Sequence, residues 1–283
     1  MAFTTLISSA TLSMHLGDAA WVVIDCRFKL DDATWGEREY AAAHIPGAVY
    51  ADLDHDLSAA KTGTNGRHPL PDAVALASTF SRLGITAGMQ VVAYDQDNGM
   101  YASRLWWMLR YMGHDAVAVL DGGFAKWIKE GRETRGGGES RPPSAFNGSP
   151  RREMIVDAAT VASLIGSTSA STRLLDARAP QRFRGESEPL DKVAGHIPGA
   201  SNYFFQQNLD PNGTFRTPEQ LRAQLGGVLG DASPRDVVCY CGSGVTACHN
   251  LLAMEHAGLK GAKLYAGSWS EWCSDERRAV ERG

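Results

Sequence analysis

This 283-residue sequence lacks several features that would each mark a class of protein. It has no excess of positive charge: 28 Lys and Arg stand against 32 Asp and Glu, a formal net charge of −4. A nucleic-acid binder needs a basic patch or stripe, and this balance supplies none. No apolar run approaches the roughly 20 residues required to cross a bilayer. Neither nucleic acid nor membrane is therefore expected as a partner. The opening stretch MAFTTLISSATLSMHLGD has no Lys or Arg ahead of a hydrophobic segment, so no secretory signal is expected. Cysteine is scarce and odd in number: Cys26, Cys239, Cys241, Cys248 and Cys273. That count argues against a disulfide scaffold and for a reducing, cytoplasmic setting. There is no CxxC pair, so Cys239, Cys241, Cys248 and His249 do not read as a metal site. What remains is ordinary for a globular protein, with 43 % hydrophobic and 21 % charged residues.

The sequence repeats itself. VVIDCR around Asp25 answers RLLDAR around Asp176, each an apolar run ending in Asp-x-Arg. AHIPGA follows in the first half and GHIPGA in the second, with His44 19 residues after Asp25 and His196 20 after Asp176. VVAYD (Val91 to Asp95) answers VVCYC (Val237 to Cys241), 146 residues on. LDGGFAKW, ending at Trp127, answers YAGSWSEW, ending at Trp272, 145 residues on. Four landmarks in constant order and near-constant offset imply two copies of one domain. The stretch 131–150, rich in Gly, Pro and Ser, reads as a linker. The expected organisation is a domain over 1–130, the linker, and a second domain over 151–283.

Short Val/Ile/Leu runs alternate with helical stretches in each half. In the second half the runs are Arg173–Leu175, Asp236–Tyr240 and Ala262–Tyr265, and Val245 to Ala257 suits a helix. Apolar runs without polar alternation fit strands buried on both faces of a parallel sheet. The fold class expected is α/β, with each domain a mostly parallel sheet flanked by helices. Both HIPGA segments read as turns. Asp25, Arg27, His44 and their counterparts Asp176, Arg178 and His196 recur in both halves and read as structural. Trp106, Trp107, Trp127, Trp269 and Trp272 read as core or interface.

The chemical centre is VVCYCGSGVTAC, Val237 to Cys248. A buried strand runs into Cys241, a short loop follows, and then a helix. This puts a thiol at the C-terminal end of a parallel strand, where open α/β sheets place their ligand crevices. Gly242 and Gly244 let the loop curl so that backbone N–H groups face inward, and the helix adds its positive end. Such a cradle favours the thiolate of Cys241 and a charged persulfide on it. From the loop alone two readings stay open: a nucleophile, or a buried structural cysteine.

The tandem halves, the paired HIPGA turns and CGSGVTAC resemble the two-domain rhodanese-type sulfurtransferases, over nearly the whole chain. Within that family the loop is most similar to the 3-mercaptopyruvate sulfurtransferases. Thiosulfate-preferring members usually carry Arg and Lys just after the cysteine, where this sequence has Gly242 and Ser243. The resemblance implies that Cys241 attacks the sulfur of 3-mercaptopyruvate, a small-molecule donor, becomes a persulfide and releases pyruvate. It implies Ser243, His68 (in RHPLP) and Asp54 (in YADLD) as a proton relay. Gly242, Gly244, Val245 and Thr246 would complete the substrate cradle. Arg182 would bind the substrate carboxylate. The family's second arginine, right after the Glu-Pro pair, is missing: the stretch reads Glu188-Pro189-Leu190-Asp191, leaving Arg184 or Lys192 to compensate. The first half has Asp95 in place of the cysteine, which implies a catalytically silent copy that completes the cleft. No metal or organic cofactor is implied. The acceptor would be a thiol, such as thioredoxin or glutathione, or cyanide.

Three rivals remain. Thiosulfate:cyanide sulfurtransfer uses the same cysteine but favours cations near the loop. A cysteine phosphatase needs a loop arginine, and none occurs from Cys241 to Lys260. A metal-binding or sulfur-carrier module would use the clustered Cys and His residues.

Overall fold

The apolar runs form strands buried on both faces. The structure, a computed structural model, describes residues 2–165 and 172–283. They pack as two units. The first comprises Met1–Ala59, Pro71–Arg151 and Pro211–Phe215; the second comprises Ala60–Leu70, Arg152–Asp210 and Arg216–Gly283. The short segment Ala60–Leu70 thus belongs to the second unit although it lies early in the chain.

The first unit is built on β1 (Leu6–Ile7), β2 (Trp21–Asp25), β3 (Val49–Tyr50), β4 (Gln90–Tyr94) and β5 (Val117–Leu120), in the order β1-β5-β4-β2-β3. The second is built on β6 (Ile155–Val156), β7 (Arg173–Asp176), β8 (Ser201–Asn202), β9 (Val237–Tyr240) and β10 (Lys263–Tyr265), in the order β6-β10-β9-β7-β8. Every pairing in both sheets is parallel. Strand for strand the two topologies are the same, which bears out the repeat and the α/β class. The expected helix over Val245 to Ala257 is Thr246–His256.

Central strands explain the apolar runs. Val91, Val92 and Ala93 in β4 and Val237, Val238 and Cys239 in β9 are buried, because helices cover both sheet faces. Each fully buried Val or Leu contributes about 1.5–3 kcal/mol. All five tryptophans singled out from the sequence lie in the core.

The recurring polar residues lock each sheet to its HIPGA turn. Arg27 donates to Asp25 at 2.6 Å and to the Ala43 carbonyl at 2.7 Å, and the Tyr94 hydroxyl donates to Asp25 at 2.7 Å. In the second unit Arg178 donates to Asp176 at 2.6 Å and to the Gly195 carbonyl at 2.7 Å. Tyr94 and Tyr240 accept from Ile45 and Ile197, each at 3.2 Å. Removing one partner of such a buried pair costs about 3–5 kcal/mol. Within the turns Gly47 and Gly199 adopt φ of 77° and 78°, a region open to glycine. Among the described residues, no helix is long and apolar enough to cross a membrane.

Candidate active site

Strand β9 delivers Cys241 to the C-terminal end of the second sheet, 2 % exposed. The loop Cys241–Val245 turns directly into the helix Thr246–His256, whose first turn has no side-chain cap. Gly244, at φ 76°, supplies the left-handed residue of the loop, and its N–H donates to Cys241 Sγ at 3.2 Å. The segment after β10 fixes the loop from its other side. Trp269 N–H donates to the Cys241 carbonyl and Ser270 N–H to the Gly242 carbonyl, both at 2.9 Å. Cys241 N–H donates to Ser268 Oγ at 3.1 Å, and that hydroxyl donates to the Tyr265 carbonyl at 2.9 Å. Ser268 is the one non-glycine residue at positive φ (54°) among the described residues. A conformation of this kind costs about 1–3 kcal/mol and persists where the surroundings over-determine it. Here those surroundings hold the cysteine's own amide.

Ser243 and His68 are both buried, and Ser243 Oγ lies 2.7 Å from His68 Nδ1. His68 reaches the loop because Ala60–Leu70 packs in the second unit. Gly66 makes this approach possible: at φ 89°, a Cβ there would lie 2.9 Å from the Gly267 carbonyl oxygen. The next residue, Arg67, donates its N–H to Ser270 Oγ at 3.0 Å. Asp54 lies in the first unit, half-buried, with its N–H donating to Asp52 at 2.8 Å.

Gly242, unlike Gly244, is not at positive φ and instead lies against two guanidinium groups. A Cβ there would lie 2.7 Å from Arg67 Nη2 and 3.4 Å from Arg182 Nη2. Two guanidinium groups therefore stand against a loop that carries no charge in its sequence. Behind them runs a chain of alternating charge. Arg178 Nη1 reaches Glu188 at 3.2 Å; Arg182 donates to Glu188 at 2.7 and 3.0 Å and to Asp191 at 3.2 Å; Asp191 accepts in turn from Arg67. The buried fold lock Asp176–Arg178 is thus continuous with the cations at the loop. Arg184 points elsewhere: it is half-exposed and pairs with Glu186 at 2.6 Å. Lys192 is exposed and lines a cavity of about 250 Å³ together with Arg67, Leu190, Asp191 and Cys273.

Cys241, Ser243, His68 and Arg182, named from the sequence, lie together around the loop, and Arg67, Glu188 and Asp191, which the sequence leaves without a role, stand beside them. The one sequence signal for Arg67 is its place beside His68. Val245 is buried at the end of the loop, and Thr246 opens the helix. The remaining cysteines differ in setting. All five are buried and none is in a disulfide. Burial pushes the thiols of Cys26, Cys239 and Cys273 up, which keeps them protonated. No group of three or more His, Cys, Asp or Glu among the described residues is placed to hold a metal ion.

The family model for the rhodanese-like domain matches residues 8–130 and again 157–275. A Pseudomonas aeruginosa protein named probable 3-mercaptopyruvate sulfurtransferase is 46 % identical over 100 % of both chains. The thiosulfate sulfurtransferase of Cricetulus griseus is 35 % identical over 85 % of this chain and 83 % of its own. The solved 3-mercaptopyruvate sulfurtransferase from Leishmania major superposes with a TM-score of 0.83 at 30 % identity, covering 95 % of this chain and 74 % of that one. The chain belongs to the rhodanese-like family and carries two copies of its domain.

Proposed function

We propose that this chain is a sulfurtransferase that takes sulfur from 3-mercaptopyruvate onto Cys241 and passes it to a thiol or to cyanide. The Cys241 thiolate attacks the donor's sulfur. The carbon–sulfur bond breaks, its electron pair leaves on the enolate of pyruvate, and Cys241 becomes a persulfide. The thiol proton of the donor must then reach the enolate carbon. In the second half-reaction the acceptor attacks the outer sulfur, and the sulfur–sulfur bond breaks to return the Cys241 thiolate.

The observation that carries the reading is the buried Ser243–His68 contact of 2.7 Å beside the Cys241 loop. An enolate is a poor leaving group until it is protonated, so mercaptopyruvate needs a proton relay. Thiosulfate releases sulfite, a stable anion that leaves without one. The relatives carry both names, and this contact favours the first. Asp54 takes the third place in the relay on the family pattern. Gly242, Gly244, Val245 and Thr246 supply the cradle, Arg182 the cation for the carboxylate, and the first unit, with Asp95, is the catalytically silent copy. Among acceptors, thioredoxin and glutathione suit the reducing cytoplasm that five cysteines outside any disulfide favour.

The test is steady-state turnover of 3-mercaptopyruvate and thiosulfate by wild type, Cys241→Ser and His68→Ala. Wild type should prefer mercaptopyruvate, and Cys241→Ser should abolish both reactions. His68→Ala should lower kcat for mercaptopyruvate by about 10²–10⁴, the worth of general acid–base help, and leave thiosulfate turnover much less affected. A wild type that prefers thiosulfate would overturn the substrate. Activity in Cys241→Ser would overturn the nucleophile.

A further inference from the structure

We infer that Arg67 is the second carboxylate-binding arginine of this site. The inference rests on the reading of the donor as a 2-oxo acid.

Donor counting comes first. Arg182 spends Nε on Glu188 and Nη2 on Glu188 and Asp191, so Nη1 alone is left to meet a ligand. One nitrogen cannot make the two-pronged contact that a carboxylate takes from an arginine fork. Arg67 is engaged differently. Its Nη1 donates to Asp191, while its Nε is buried with no partner. Its Nη2 faces Gly242, at 2.7 Å from the point where a Cβ would stand. Arg182 Nη1 lies 3.5 Å from that same point. Both guanidinium groups therefore face one spot beside the Cys241 loop, Arg67 through its unspent Nη2 and Arg182 through Nη2 and the unspent Nη1.

The supports lie on the far side. Asp191 accepts from both arginines, one on each oxygen, and Glu188 accepts from Arg182. Both acids are buried, with side chains 4 % and 3 % exposed. A carboxylate buried behind an arginine fixes the fork's orientation and leaves its front edge for the ligand. A cavity of about 250 Å³ is lined by Arg67, Asp191 and Leu190 together with Lys61 and Lys192, and Arg67 reaches from it to Gly242.

The experiment measures KM and kcat for 3-mercaptopyruvate, and direct calorimetric binding of pyruvate, in wild type, Arg67→Ala, Arg67→Lys and the double variant Arg67→Ala/Leu190→Arg. Arg67→Ala should raise KM and the pyruvate Kd together by about 10- to 100-fold, the worth of a charge-assisted contact. Its kcat should change much less. Arg67→Lys should recover part of the loss, since it keeps the charge and not the fork. The double variant should recover part as well, because Leu190 lines the same cavity. A KM and a pyruvate Kd both within about twofold of wild type in Arg67→Ala would overturn the assignment. So would a loss of kcat alone. If Arg67→Ala does not fold, Arg67→Gln, which removes the charge and keeps much of the length, is read by the same thresholds. Pyruvate binding separates this result from the donor assignment. A wild type that binds pyruvate through Arg67 but ignores mercaptopyruvate would refute the donor and leave the clamp standing.

Discussion

The two halves answer the same structural problem with different side chains. Both β4 and β9 end in a tyrosine that grips the HIPGA turn, and both then release the chain into a loop and a helix. After Tyr94 comes Asp95; after Tyr240 comes Cys241. The Asp95 carboxylate is fully buried and accepts from the N–H groups of Gly99 (2.9 Å), Tyr101 (2.7 Å), Ala102 (3.1 Å) and Asp97 (3.2 Å). It thereby caps the helix Ala102–Tyr111, whose N-cap residue makes no side-chain cap of its own. The first cradle is filled permanently by a side chain of the protein. In the second, Cys241 Sγ accepts from the Gly244 N–H at 3.2 Å, and the helix start has no side-chain cap. A resident carboxylate makes a structural plug. A thiol leaves room for an anion that arrives with the reaction. One backbone pattern thus gives a brace in one copy and a candidate reaction centre in the other.

The comparison breaks most sharply if the thiol is moved. Asp95→Cys in a Cys241→Ser background places a cysteine after the fourth strand of the first unit. It supplies neither the Ser243–His68 contact nor the two arginines that stand at Gly242. Turnover of 3-mercaptopyruvate should stay at least about 10³-fold below wild type, since nucleophile, proton relay and positioning act as a unit. Recovery to within tenfold would mean that strand end and loop suffice, and that the second unit's side chains are ornament.

Much of this contrast was legible in the sequence, and what was not has a physical cause. The strands were legible because VVIDCR and VVAYD have no polar alternation, and the repeat because Asp-x-Arg and HIPGA each do one structural job twice. Cys241 and its loop were legible because local sequence sets a strand–loop–helix. The excursion of Ala60–Leu70 into the second unit was not, since it depends on Gly66 meeting the Gly267 carbonyl, 201 residues away. Arg67 went unseen for the same reason. Of the two loop glycines the sequence offers for curvature, only Gly244 has a positive φ, and Gly242 faces a guanidinium. A loop read as neutral is cationic through space, so the absence of Arg and Lys after the cysteine says where the charge is not encoded rather than that it is missing. In the proposed reading the preference for 3-mercaptopyruvate therefore rests on the Ser243–His68 contact and not on a lack of cations at the loop.

A second way to sharpen the comparison is to titrate the plug. Burial pushes the Asp95 carboxyl up to about 6, against the opposing pull of its backbone N–H donors. Its unfolded value is about 3.9. The folded state therefore binds the proton more tightly. This group's stabilisation is complete below about pH 4 and is lost as pH rises through 6, an order-of-magnitude change of about 3 kcal/mol. The measurement is urea unfolding of the first unit's transition in wild type and Asp95→Asn. The wild-type advantage should fall between about pH 4 and 7 and stay level above. An advantage that rises with pH would mean that the N–H donors outweigh burial and hold the carboxyl below its unfolded value.

The smallest effect expected separates two arginines that the sequence places two residues apart. Arg182 has a side chain 18 % exposed and rests on Glu188 and Asp191, both nearly buried. Arg184 is 43 % exposed, and its partner Glu186 is 53 % exposed. Water and salt screen the second pair, and exposed pairs of this kind contribute little. Sequence reasoning offered Arg184 as a substitute for the missing second arginine, but its guanidinium is turned to solvent and to Glu186. Arg184→Ala should leave kcat/KM for 3-mercaptopyruvate within about twofold of wild type, whereas Arg182→Ala should lower it by about 10- to 100-fold. A comparable loss in both would mean that Arg184 swings toward the loop when the donor binds. The clamp would then contain a third cation, and the fixed supports behind Arg67 and Arg182 would be only part of it.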